Sequence, residues 1–67
     1  MTNTNLIKSK IREYGYTQQE VAKKIGISYQ SLSDKINNKK DFKASEIEKL
    51  CNLFSIENKD CYFFANK

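Results

Sequence analysis

Histidine and proline are absent from this 67-residue chain, glycine occurs only at Gly15 and Gly26, and cysteine only at Cys51 and Cys61. Without histidine or a Cys-x-x-Cys pair, no metal site is expected. Without a Gly-rich phosphate loop or a nucleophile beside a base, neither enzyme chemistry nor a cofactor is expected. No stretch reads as a leader or a membrane span, which points to the reducing cytoplasm and to cysteines that act as small apolar fillers. With no proline and few glycines, helices run uninterrupted, and the expected architecture is an all-α bundle. The length fits one domain, residues 1–67, which buries only about 60% of the surface its unfolded chain exposes. It leaves no room for a separate ligand-sensing domain, so no small-molecule ligand is expected.

What is abundant is positive charge, and it is unevenly spread. The chain carries 12 basic and 8 acidic residues, a net charge of +4. Between Lys8 and Lys43 there are nine basic and four acidic residues, net +5, whereas Ala44 to Lys67 holds three and four, net −1. Such a segregated excess suits neutralisation of phosphates, although a solvated lysine surface would give the same count.

The basic part contains the most structured stretch, residues 17–37. Thr17 and Glu20 have the spacing of a capping box. Val21, Ala22 and Ile25 share one face of the helix that follows, and Gly26 suits a left-handed exit. Ile27 plugs the turn, Ser28 is an N-cap, and Leu32 and Ile36 hold a second helix to the core. Its other face shows Tyr29, Gln30, Ser33, Asp34 and Asn37. Two short helices around a tight turn read as a helix-turn-helix.

Gln18, Ala22, Gly26, Ile27 and Leu32 stand at the spacing of the lambda-repressor-like helix-turn-helix family, which includes phage repressors and Cro proteins. The resemblance runs from Ile7 to about Phe64 and implies a compact five-helix DNA-binding domain. Two positions depart from the pattern. Lys35 stands where many members have an apolar residue, with Ile36 expected to take over the packing. Asn37-Asn38 replaces Asn-Gly, and asparagine tolerates the left-handed turn next best.

Along the rest of the chain, Met1 to Asn5 reads as frayed. A first helix over 5–14 turns Leu6, Ile7, Ile11 and Tyr14 inward, and Tyr16 staples the next helix. Residues 37–43, NNKKDFK, form a basic loop anchored by Phe42. A helix over 44–54 buries Ile47, Leu50, Cys51 and Phe54, is capped by Lys43 or Ser45, and exposes Glu46 and Glu48. A short last helix, about 59–65, sends Cys61 and Phe63 to the core and leaves Tyr62 and Phe64 partly outside.

The functional expectation is a transcriptional regulator of the phage or prophage Cro-like or small-repressor type, in the cytoplasm of a bacterial host. Its partner is a palindromic double-stranded DNA operator. Base contacts fall to Ser28, Tyr29, Gln30, Ser33 and Asn37, with Gln30 suited to a bidentate contact with adenine. Phosphate contacts fall to Lys35, Asn38, Lys39, Lys40 and Lys43. The resemblance adds Gln18 at a helix N-terminus, where free N–H groups favour an anion. Asp34 is expected to pair with a lysine or face solvent rather than read cytosine. Two half-sites lie about 34 Å apart, one helical turn, so a weak homodimer is expected, preformed or assembled on DNA, with Tyr62 and Phe64 as its contact. The competing expectation is an interaction module, such as an antitoxin or antirepressor target, whose C-terminal aromatic surface binds another protein.

Overall fold

The first helix begins where a side chain makes it begin. Asn3 has extended backbone and its Oδ1 accepts from the Leu6 N–H at 3.1 Å, starting α1, Thr4–Glu13. In the computed structural model, which describes residues 1–64, four more helices follow: α2, Gln18–Ile25; α3, Tyr29–Ile36; α4, Ala44–Phe54; and α5, Lys59–Phe63. Among the described residues there is no strand. The radius of gyration, 10.5 Å, is close to the ~11 Å expected of a compact chain this long.

The boundaries follow local chemistry. Gly15, at φ +75°, ends α1, and the Tyr16 N–H closes it by donating to the Ile11 carbonyl at 3.0 Å. The Thr17–Glu20 capping box forms in both directions: the Thr17 N–H donates to Glu20 Oε1 at 2.7 Å and the Glu20 N–H to Thr17 Oγ1 at 3.1 Å. Gly26 leaves α2 at φ +81°, a conformation that costs glycine little. The Ile27 N–H then reaches back to the Ala22 carbonyl at 3.0 Å. Ser28 Oγ caps α3 by accepting from the Ser31 N–H. Lys43 is the N-cap of α4, and having no acceptor of its own it is served by Glu46, whose Oε1 takes the Lys43 N–H at 2.9 Å.

The core is a contiguous cluster in which Ile7, Val21, Leu32, Ile36, Leu50 and Phe54 are fully buried, with Ile11, Ala22, Ile25, Ile47, Ile56 and Phe63 closing it. Helices α1 to α4 each contribute positions spaced by three or four residues, as an amphipathic helix must, and α5 contributes Phe63.

Four expectations need correction. Leu6 is exposed: the buried residues of α1 are Ile7 and Ile11. Tyr14 is 40% exposed, although its ring meets Phe54 at a steep angle with centroids 5.1 Å apart and its hydroxyl donates to the Phe54 carbonyl at 2.9 Å. Cys61 is exposed while Phe63 is buried. Two helical residues are separated by about 200° of rotation, so a five-residue helix cannot bury both. The N-terminal segment is not frayed: the Asn3 N–H donates to the Tyr62 carbonyl at 2.7 Å, Thr4 Oγ1 to the Ile36 carbonyl at 2.6 Å, and Thr2 is buried. The end of the last expected helix, at Ala65, lies outside the described residues.

Candidate functional site

α3 turns Leu32, Lys35 and Ile36 inward, with Ser33 and Asp34 between them half-buried. Tyr29 is 48% exposed, and Ser28, Gln30 and Asn37 are exposed with Ser33 half-buried beside them. These polar side chains differ in what they have left to offer. Ser28 Oγ accepts within the chain as the cap, but its hydroxyl proton remains free. Asn37 Nδ2 donates to the Ser33 carbonyl at 2.9 Å. Gln30 Nε2 donates to Asp34 Oδ1 at 3.0 Å, one helical turn on. Asp34 Oδ2 lies 3.9 Å from Lys40 Nζ. The sequence left Asp34 between an ion pair and open solvent; it has both a weak ion pair and a defined hydrogen bond.

The loop after α3 is basic and its backbone is held at both ends. The Lys39 and Lys40 N–H groups both donate to the Asp34 carbonyl, at 2.8 and 3.3 Å. The Lys43 N–H is fixed by Glu46, and Phe42 sets its ring edge-on to Phe63 with centroids 5.4 Å apart. Lys39, Lys40 and Lys43 thus project into solvent from an ordered backbone.

Two of the expected phosphate contacts are otherwise engaged. Lys35 is buried, and its Nζ lies 2.7 and 2.8 Å from the two carboxylate oxygens of Glu46, which is buried too. Lys35 sits one residue before the core position Ile36 and three after Leu32, on the inward edge of α3, so its ammonium points to α4 and not to solvent. Burial alone would push the Glu46 carboxyl up. Hydrogen bonds from Lys35 Nζ and the Lys43 N–H, with the charges of both lysines, overcome that and hold it below the ordinary carboxylate value. The expectation that Glu46 faces solvent therefore falls with that for Lys35. Asn38 is the second case. Its backbone is left-handed at φ +64°, as the turn requires. Its amide is spent on the chain itself: Oδ1 accepts from the Thr2 N–H at 2.8 Å and Nδ2 donates to the Thr2 carbonyl at 2.9 Å.

Gln18, half-buried at the start of α2, lines a shallow depression with Lys8, Arg12 and Tyr16. Lys8 and Arg12 are four apart on the outer face of α1, a spacing from which their convergence beside Gln18 could have been anticipated. Of the aromatic pair, Phe64 is 51% exposed and borders a depression of about 690 Å³ between α4 and α5 with Ile47, Cys51 and Ile56. Tyr62 is half-buried, tilted against Phe63, and does not line that depression. Burial pushes the Cys51 thiol up, against the nearby charge of Lys59. Among the described residues no three Cys, Asp or Glu side chains converge in a way that could hold a metal ion. No described helix is long and apolar enough to cross a membrane.

The fold and the outward face of α3 define a small all-helical protein with a polar helix flanked by a basic loop. The sequence model of a family described as protein of unknown function (DUF739) matches residues 3–66, and the chain belongs to that family. No curated protein and no solved structure matches it.

Proposed function

We propose that this protein is a sequence-specific double-stranded DNA-binding regulator, in which α2 and α3 form a lambda-repressor-like helix-turn-helix and α3 enters the major groove. The observation that carries the reading is the pairing of two surfaces. An α3 face of exposed Tyr29, Gln30 and Ser28 adjoins a loop that presents Lys39, Lys40 and Lys43 on a pinned backbone. Side chains on the helix can read base edges, and cations beside them can hold the flanking phosphates. Gln18, with Lys8 and Arg12 next to it, would hold the backbone on the other flank, where N–H groups at the start of α2 favour an anion. Lys35 also supports the reading, since it is inward at a position that the resembled family fills with an apolar residue.

In this reading the protein works in the cytoplasm of a bacterial host, as a phage or prophage Cro-like or small repressor. A weak homodimer places two copies of α3 about 34 Å apart on a palindromic operator, with Tyr62 and Phe64 near the contact. Exposed Phe64, beside the depression between α4 and α5, is the one feature that also suits an interaction module binding another protein.

Selection of bound sequences from a random duplex pool, followed by salt titration of the winner, tests the proposal. With the three loop lysines, Lys8 and Arg12 on each of two protomers, log Kd should change with log salt with a slope of about 9. An enriched palindrome with that slope supports an operator-binding dimer. Weak, uniform binding without enrichment would refute it and favour the interaction module.

A further inference from the structure

We infer that Asp34 is the positioning residue that sets which way Gln30 presents its amide, and hence which base α3 prefers; the inference rests on the DNA-binding reading above. An ionised carboxylate can only accept hydrogen bonds, so the amide edge turned toward it must be Nε2 and not Oε1. That is the arrangement found, with Nε2 donating to Asp34 Oδ1 at 3.0 Å. Asp34 is itself well held: its side chain is 17% exposed, Lys40 Nζ stands 3.9 Å from the other oxygen, and its own carbonyl closes the following turn. Gln30 is therefore not a free rotor with two equivalent faces. One Nε2 hydrogen is given to Asp34. The second, with Oε1, is left as an adjacent donor and acceptor of fixed order.

That order matches adenine, whose N7 accepts and whose N6 amino group donates, and fails against guanine, whose N7 and O6 both accept. The carboxylate would otherwise be a liability near phosphate. Here its charge is partly balanced by Lys40, and its use is to hold the amide against turning over.

The full chain and its Gln30→Ala, Asp34→Asn and Asp34→Glu variants are titrated against duplexes that vary the selected sequence one base pair at a time. Asn keeps the shape of Asp but can donate as well as accept, so it tolerates both amide orientations, whereas Glu remains acceptor-only. Wild type should prefer adenine at one position of each half-site by roughly 5- to 150-fold. Gln30→Ala should abolish that preference. Asp34→Asn should cut it about fivefold or more at the same position only, and Asp34→Glu should keep most of it. If Asp34→Asn strengthens binding to every duplex alike with the base ratios unchanged, Asp34 acts by charge alone and the inference is wrong. It is equally wrong if the relaxed position is not the one lost in Gln30→Ala, or if Asp34→Glu relaxes it as much as Asp34→Asn. A wild type that selects no sequence removes the DNA-binding reading itself, and this inference with it.

Discussion

Removing the Lys35 ammonium should be among the costliest single changes in this protein. The side chains of Lys35 and Glu46 are only 9% and 8% exposed, with Nζ 2.7 and 2.8 Å from the two carboxylate oxygens. In Lys35→Met the carboxylate stays buried and keeps one donor, the Lys43 N–H at 2.9 Å. Breaking a buried pair by removing one partner costs about 3–5 kcal/mol, because the remaining charge is uncompensated. A domain of this size holds roughly 3–10 kcal/mol in all, so the variant should be partly unfolded at ambient temperature. The pH dependence separates this from simple loss of packing. In the wild type the folded Glu46 value lies below the ordinary 4.5. The pair's contribution is therefore complete above 4.5 and is lost as pH falls through the folded value. In Lys35→Met the hydrogen bond and charge of Lys35 no longer oppose burial, so the carboxyl moves up from its wild-type value and the penalty fades on acidification as it protonates. The stability gap between the two proteins should be widest at neutral pH and close in acid. Urea unfolding followed by circular dichroism across that range measures it. Lys35→Met/Glu46→Leu, which removes both charges, should recover most of the loss. A cost under about 1 kcal/mol that does not change with pH is what a solvated ion pair gives, and it would refute the buried-pair argument.

Three further outcomes are expected. Asn38→Gly should destabilise, by about 1 kcal/mol, even though glycine suits φ +64° better, because both hydrogen bonds to the Thr2 backbone go with the amide; thermal melting and amide exchange at Thr2 would show it. Ser55→Gly should stabilise by roughly 0.5–1 kcal/mol, since Ser55 ends α4 in a left-handed conformation at φ +53°; an unchanged or lower melting temperature would contradict this. Lys39→Ala should lower the salt slope of DNA binding by about one per protomer, while Lys35→Met, measured where it is folded, should leave the slope unchanged because its ammonium does not reach solvent.

What was legible in the sequence is what local chemistry decides. The Thr17–Glu20 box, the glycine exits at Gly15 and Gly26, the Ser28 cap and the 44–54 helix each depend on residues within four positions of one another, and each is found. The apolar spacing likewise located Ile7, Ile11, Val21, Ile25, Leu32, Ile36, Leu50 and Phe54 in the core. Failures came where a side chain's partner lies far along the chain. Lys35 and Glu46 both read as surface charges, because lysine and glutamate are rarely buried unless paired, and a pairing eleven residues apart across a turn leaves no periodic trace. Asn38 and Thr2 are thirty-six residues apart, and nothing in the polar N-terminus hinted at an acceptor waiting for it. Cys61 differs for another reason: apolar density along a segment does not specify burial, and a helix of five residues has only one inward direction to give.

Three of the long-range polar ties that escaped the sequence meet at one place, the C-terminal end of α3. Thr4 Oγ1 donates to the Ile36 carbonyl, Asn38 grips Thr2, and Lys35 meets Glu46, which also takes the Lys43 N–H. The first two join this end of α3 to the start of α1, and the Lys35–Glu46 pair joins it to the start of α4, where Glu46 also caps its own helix. A core this small leaves helix ends poorly constrained by apolar contact alone. Hydrogen bonds supply the missing direction, since they fail within a few tenths of an ångström where apolar contact merely slides. They also occupy inner and terminal groups of α3 and the loop, while Tyr29, Lys39 and Lys43 stay exposed and Gln30 and Lys40 engage only Asp34 beside them. If α3 reads DNA, its register on the base edges is then set by Thr2, Thr4 and Glu46, none of which need touch DNA. Thr4→Val tests the point: it keeps the shape, deletes one tie, and should blur base discrimination more than it weakens binding to unrelated duplexes. Equal loss on all sequences would mean that these ties stabilise the fold without aiming the helix.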